Sequence, residues 1–386
     1  MDFSLIKPII STTRIPRLYE LLDRSKLKYK LVAEFTHHFH DVQTRSPTKN
    51  ISKEQYIHSY LDYVLKDFDF SLSFQTKLII VYDETSDIEI ITSLHTWLIK
   101  QCCDIRNIIL ICIDRGIKKW YLNYLNLYGY GDWGMQVIEM PPLLSDQRRW
   151  TNNAPFLESK KHKKYFSVYG GSYSKIERDF LIANLLELKE YGLIDYLGGF
   201  TQPTSNLFNE FEGLIHFTNA TLLEKVIKNT NIVFEKTGDP NELLGSADVT
   251  ITKESKIIFF NVLRETYMDV PWTCFTEKSI SPFLHQQIPI PIAGVGSVSE
   301  IEKMGFIFDY TIFDYNQYQN IVNYSDRMLK MIGLLVDFIK QHTLSDLDDY
   351  YVQNNKLYLH NFEILTKGYV ASKTEHFFIE ELNNLE

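Results

Sequence analysis

The feature that most constrains the fold is an alternation of short apolar runs with longer segments of helical hydrophobic spacing. KLIIVY begins at Lys77 and NIILIC begins at Asn107, and an amphipathic segment separates them. Near-continuous apolar runs are typical of strands buried on both faces, and parallel strands need crossovers that are usually helical. The alternation therefore predicts an α/β fold built on parallel sheets.

The same alternation restarts after a polar stretch, Pro141–Lys164, which we interpret as an interdomain linker. KYFSVYG, KIIFFNVLR and IPIPI follow it as apolar runs of strand type. At 386 residues the chain is too long for one ordinary core, for which about 150 residues is a guide. We predict two Rossmann-like domains that face a central cleft, residues 1–150 and 151–345, and a C-terminal tail or helix, 346–386, that packs back on them.

Composition places the chain among globular proteins and narrows its partners. Hydrophobic residues make up 45% and charged residues 23%, and the net charge of −9 disfavours nonspecific binding to nucleic acid, although a nucleic-acid acceptor stays open. No apolar run reaches the roughly 18 residues of a membrane span, and we expect a cytoplasmic protein, in the host cytoplasm if it is viral. The four cysteines lack metal-type spacing, which predicts buried thiols.

A first anion-binding element is predicted at the end of KYFSVYG. Gly170 and Gly171 form a turn there, and Ser174 with Glu177 matches a capping box that starts a helix. Unpaired N–H groups and the helix dipole at such a junction favour a phosphate, and Arg178 would add a bidentate contact. The alternative is a solvated Arg178 paired with a neighbouring acid.

A second junction follows the run KIIFFNVLR. Glu265 ends that strand, where a carboxylate can reach sugar hydroxyls, although a solvated strand end is the alternative. Thr276 is the predicted N-cap of the next helix, with Glu277 and Lys278 in its first turn. A cation is disfavoured at that end of a helix, so Lys278 suggests a functional role. Pro282 predicts a kink or a new helix start.

Acidic residues also end a strand of the first domain. Asp83 and Glu84 follow KLIIVY, and a carboxylate there would act as the general base for an acceptor hydroxyl. An N-cap or a solvated strand end is the alternative. In the second domain, Gly296 belongs to a glycine loop after IPIPI and gives a weak signal for a phosphate-binding turn.

No metal site is predicted. The histidines of THHFHD have no companion ligand cluster, and two Asp-x-Asp pairs do not follow buried strands. The histidines are His37, His38 and His40, and the pairs are Asp67 with Asp69 and Asp346 with Asp348.

The segment from about residue 160 to 335 resembles a known family. Thr276–Lys278 reads TEK before a proline-containing helix, and Met304–Phe306 reads MGF. This order resembles the donor half of the α1,3-fucosyltransferases and related glycosyltransferase-like proteins of viruses and bacteria. The resemblance implies a GT-B fold, a nucleotide-diphosphate sugar as donor, a glycan or other hydroxyl acceptor, no required metal and inversion. It assigns Glu277 to the ribose, and Lys278 and Arg178 to the pyrophosphate.

Two other classes of protein stay open at this point. One is a non-catalytic nucleotide- or glycan-binding protein with a degenerate transferase fold. The other is a different Rossmann-type enzyme, although no G-x-G-x-x-G follows a strand, which disfavours a dinucleotide enzyme. The sequence leaves the sugar, the nucleotide base, the acceptor and the oligomeric state open.

Overall fold

The structure of the protein is a computed structural model, and its chain divides into two compact units. The first comprises Met1–Gln147, Val270–Phe275 and Ala371–Glu386, and the second comprises Arg148–Asp269 and Thr276–Val370. The residues that the structure describes are 16–35, 53–65, 69–82, 88–112, 116–140, 156–170, 181, 184–196, 257–264, 277–367 and 369–385.

The first unit contains a sheet of four parallel strands in sequential order, β1-β2-β3-β4. The strands are β1 Tyr29–Phe35, β2 Lys77–Tyr82, β3 Ile108–Cys112 and β4 Gln136–Glu139. The described helices are α1 Pro16–Arg24, α2 Lys53–Val64, α3 Ile88–Lys100 and α4 Ile117–Leu127, with 3-10 turns at Phe70–Phe74 and Ile105–Asn107. The last helix of the chain, α10 Tyr369–Asn383, belongs to this unit from Ala371 on.

One face of this sheet packs against the two ends of the chain. Side chains alternate along a strand, so Ile79 and Val81 of β2 share a face with their register neighbours Ile109 and Ile111 of β3. That face forms one core with α1 and α10, whose Phe378 and Leu382 are fully buried. The members of the core are Leu18, Leu21, Leu22, Leu27, Ile79, Val81, Ile109, Ile111, Ile138, Met140, Phe378 and Leu382.

The second unit contains another sheet of four parallel strands, in the order β6-β5-β7-β8. The strands are β5 Lys164–Gly170, β6 Gly192–Tyr196, β7 Ile258–Arg264 and β8 Ile288–Ile292. The described helices are α5 Glu277–Leu284, α6 Ser297–Lys303, α7 Tyr324–Gln341, α8 Leu344–Gln353 and α9 Asn355–Thr366, with 3-10 turns at Leu186–Leu188 and Tyr315–Gln317.

The repeated prolines of IPIPI suit the edge position of β8. A proline has no N–H to donate, so within sheets it is confined to edge strands, where that N–H would point away from the neighbour. The carbonyl of Pro289 accepts a hydrogen bond from the Tyr315 hydroxyl, and that of Pro291 accepts one from the Tyr318 hydroxyl, both at 3.0 Å. Both tyrosines are buried, so the outward carbonyls of this edge have partners inside the protein.

The predicted mixed α/β fold with parallel sheets is confirmed, whereas the GT-B arrangement of two domains stays a prediction. Pro282 lies inside one helix, α5, so no new helix starts there, and the kink stays a prediction. The prediction that the cysteines are buried is wrong for Cys102, which is exposed in the turn after α3. Among the described residues, none of the helices is both long and apolar enough to cross a membrane.

Candidate functional site

The strand order of the second sheet creates a topological switch point. From β5 the chain continues to β6 on one side, and from β7 it continues to β8 on the other. Connections that leave two adjacent parallel strands in opposite directions leave a crevice at their carboxyl ends, where open α/β sheets bind ligands. The last residues of these strands, Gly170 and Arg264, therefore mark the candidate site.

Several predicted site residues come directly after these two strands. Gly171 follows the last residue of β5, and Glu265 follows the last residue of β7. Both lie outside the described residues, and so do Ser174, Arg178 and Thr276. Their roles therefore stay predictions, supported by their chain positions beside the switch point.

Helix α5 begins at the predicted position, because Glu277 and Lys278 are its first two residues. The first N–H groups of a helix have no intrahelical acceptor and are available to an anion. This helix connects β7 to β8, so its first turn comes after the carboxyl end of β7. The backbone thus places Glu277 and Lys278 where the sequence predicted them, in the first turn of a helix that follows that strand.

The turn between β8 and α6 contains Gly296, which adopts the left-handed conformation with φ of 78°. A Cβ placed on this glycine would meet no atom within 4 Å, so backbone conformation rather than space explains the residue. The Gly296 N–H donates to the Gln319 carbonyl at 3.1 Å, and the Ser297 N–H donates to the Gly294 carbonyl at 3.2 Å. The turn is fixed at the carboxyl end of β8, and phosphate binding there stays a prediction.

The corresponding region of the first sheet differs. Asp83 and Glu84 directly follow β2 but lie outside the described residues, so their catalytic role stays a prediction. The start of α4, after β3, is occupied by a carboxylate of the chain. Glu139 Oε1 accepts hydrogen bonds from the N–H groups of Gly116 at 2.8 Å and Lys118 at 2.9 Å. Glu139 was not singled out in the sequence; its only signal was an acid at the end of a strand.

A buried polar cluster lies at the opposite, amino edge of the second sheet. Two of its members, Lys160 and His162, belong to the segment interpreted as a linker. Lys160 is only 4% exposed, and its Nζ donates to the carbonyls of His285 and Gln286, both at 2.9 Å. His162 is also buried, and Asp348 Oδ1 lies 2.8 Å from its Nδ1. No local sequence pattern indicates this cluster, because its members come from distant parts of the chain.

Burial and charge keep two histidines of this cluster neutral. Desolvation, with a further contribution from the positive charge of Lys160, lowers the pKa of His285 to about 4. The same two causes lower the pKa of His162 to about 4, although its hydrogen bond to Asp348 opposes them. Neutral histidines beside a buried lysine avoid like-charge repulsion.

Within the part of the chain that the structure describes, no group of three or more His, Cys, Asp or Glu side chains is arranged to hold a metal ion. Two acids considered at the sequence level have structural roles instead. Asp346 forms a capping box with Thr343 at the start of α8. Asp348 accepts from the N–H of His162 at 2.7 Å, in addition to its contact with the ring.

The described residues define a mixed α/β protein with a topological switch point in its second sheet. No family model matches the chain, and no curated protein matches it. Among solved structures, a glycosyltransferase from Rickettsia africae ESF-5 is similar, with 10% identity and a TM-score of 0.35 over 92% of this chain and 90% of that chain.

Proposed function

We propose that the protein is a glycosyltransferase that moves a sugar from a nucleotide-diphosphate donor to a hydroxyl acceptor. The observation that carries the proposal is the switch point between β5 and β7. The residues predicted to bind the donor follow the carboxyl ends of these two strands or start the helix after β7. Open α/β sheets bind nucleotides at such positions. The resemblance of the TEK segment to the fucosyltransferase donor half supports the same assignment.

In the proposed reaction, the acceptor oxygen forms a bond to the anomeric carbon and the bond to the β-phosphate oxygen breaks. The electron pair leaves with the nucleoside diphosphate, whose growing negative charge Lys278, Arg178 and the start of α5 stabilise without a metal. Glu277 binds the ribose, and Glu265 and Gly171 line the same crevice. Asp83 or Glu84 accepts the proton of the hydroxyl, and a single displacement inverts the configuration.

The first test is ligand binding followed by turnover. Donors linked to UDP, GDP, CDP and dTDP are screened by thermal shift, because a ligand at about 100 times its Kd adds about 2.7 kcal/mol of apparent stability. The donor that binds is then assayed for release of nucleoside diphosphate with and without hydroxyl acceptors. Binding without any release would favour the non-catalytic alternative, and the absence of binding to every donor would end the proposal.

Lys278→Ala tests the central cation. We expect the variant to fold normally and to lose turnover by on the order of a hundredfold or more, the usual effect of removing one such charge at a transition state. Lys303→Ala is the matched control, because this lysine of the same unit is exposed and, among the described residues, pairs with Glu300 on its own helix. Equal turnover by wild type and Lys278→Ala would remove Lys278 from the mechanism.

A further inference from the structure

Helix α5, which carries Glu277 and Lys278, depends on its surroundings for its direction. It has only eight residues, and Pro282 inside it removes one intrahelical hydrogen bond. Helices of this length are marginal in isolation and are stabilised mainly by tertiary packing. The contacts at its carboxyl end therefore contribute to where its first turn lies.

Lys160 supplies two polar contacts at that end. Its Nζ lies 2.9 Å from the carbonyl oxygens of both His285 and Gln286, which directly follow the helix. A cation near the carboxyl end of a helix is favoured by the helix dipole, and here the ammonium group also donates to the two carbonyls that directly follow the helix. The same Nζ lies 5.5 Å from the centre of the Tyr351 ring.

A second set of contacts holds the same turn. Gln286 has a left-handed φ of 54°, which ends the helix. Its side-chain Oε1 accepts from the N–H of Leu157 at 3.0 Å and lies 2.7 Å from the Tyr351 hydroxyl oxygen. The ring of Phe283 stacks on Phe306 with 4.3 Å between ring centres. One end of α5 is thus fixed by side chains from three other segments.

We infer that Lys160 is a positioning residue, which holds the carboxyl end of α5 and thereby sets the place of Glu277 and Lys278 at the switch point. The inference rests on the proposed function in one respect, that these two residues bind the donor. Lys160 itself lies at the amino edge of the sheet, before β5 begins, and it acts on the donor only through the helix.

The variant Lys160→Met tests this inference, because methionine keeps an unbranched apolar side chain of similar length and removes the ammonium group. Lys164→Met is the matched control: it makes the same charge change four residues later, where Nζ donates to the Glu190 carbonyl and not to α5. Both variants are compared with wild type well below their unfolding temperatures. The readouts are hydrogen exchange in Glu277–Leu284 and affinity for the nucleoside diphosphate identified by the screen.

We expect hydrogen exchange in α5 to be at least about tenfold faster in Lys160→Met, with unchanged exchange in β5 and β7, because only the helix loses its anchor. Donor affinity should fall about tenfold, and Lys164→Met should match wild type in both respects. Lys160→Arg, which keeps the charge and several donors, should recover part of the loss. A merely structural lysine would lower the unfolding temperature and leave both readouts of the folded protein unchanged.

Unchanged exchange in α5 would overturn the inference whatever the ligand results, whereas failure of wild type to bind any nucleotide would overturn the proposed function alone. Should Lys160→Met not fold, Tyr351→Phe gives a milder change, since it removes only the hydroxyl beside Gln286. We then expect a smaller acceleration of exchange in α5. Wild-type exchange in that variant would count against the inference.

Discussion

The two units use the same element, a sheet of four parallel strands, but connect the strands differently. In the first sheet, each new strand is added beside the preceding one, always on the same side. In the second sheet, β6 is added on one side of β5, and the chain then returns to add β7 and β8 on the other side. Only the second order creates a switch point. At the carboxyl edge of the first sheet, Glu139 occupies the start of α4. This difference supports nucleotide binding by the second unit.

The sequential strand order of the first sheet leaves one face that its own crossover helices do not cover. Crossovers between parallel strands are right-handed, so connections that all run in one direction place their helices on one face. The opposite face must be covered by other parts of the chain, and here α1 and α10 cover it. Both α1 and α10 are therefore needed to cover the first sheet, although they are far apart in the sequence.

The largest expected effect comes from uncovering that face. Phe378 of α10 is fully buried against the first sheet, so Phe378→Ala should lower the unfolding free energy of the first unit by about 3–5 kcal/mol. Hydrogen exchange at β2 and β3 measures this unit, and exchange at β5 and β7 measures the second. We expect the loss to appear in β2 and β3.

The adjacent residue provides the control for this prediction. Phe377 is 49% exposed on the same helix, so Phe377→Ala should change stability by less than about 0.5 kcal/mol. Equal effects of the two substitutions would show that α10 does not complete the first sheet. An equal loss in β5 and β7 would show that the two units unfold as one.

The strands were predictable from local sequence, but their order was not. Continuous apolar runs such as IIVY and IIFF report burial on both faces, which depends only on neighbouring residues. Strand order depends on pairing between distant segments, as where β5 lies between β6 and β7. The role of Lys160 was hidden for the same reason, since its partner carbonyls lie more than a hundred residues away. The start of α5 was predictable because a helix start depends on a few adjacent residues.

Acid should destabilise the second unit more than the first. Burial lowers the pKa of His95 in the first unit to about 4, as it does for His162 and His285 in the second. Below pH 6.5 these histidines bind protons in the unfolded chain but not in the folded protein. The free energy of unfolding therefore falls with falling pH until the folded pKa is reached. Between pH 7 and pH 5 we expect a loss of about 2 kcal/mol per histidine, hence about 2 kcal/mol more in the second unit.

His285→Leu tests the origin of this difference. Among the described residues, neither buried ring nitrogen of His285 has a hydrogen-bond partner. An apolar residue of similar size should therefore fold and remove about 2 kcal/mol of the pH dependence of the second unit. His360→Leu makes the same substitution at an exposed site of the same unit and is the control. Hydrogen exchange of β5 and β7 at the two pH values measures both, and an unchanged slope for His285→Leu would contradict this account.

The smallest expected effect concerns the carboxylate at the start of α4. Glu139→Ala leaves the N–H groups of Gly116 and Lys118 without their acceptor, and loss of such a cap costs about 1 kcal/mol. Added phosphate should recover part of this loss in the variant and none in wild type, because the freed helix start becomes an anion site.

Glu381→Gln is the control, since it removes a partner of the Lys118 side chain, 2.9 Å away in wild type. Such surface pairs contribute about 0–1 kcal/mol. Chemical denaturation of the two variants, with and without phosphate, measures these differences. Stabilisation of the first unit of wild type by phosphate would mean that its carboxyl edge is open to anions, and the contrast between the two sheets would then no longer assign the donor to the second.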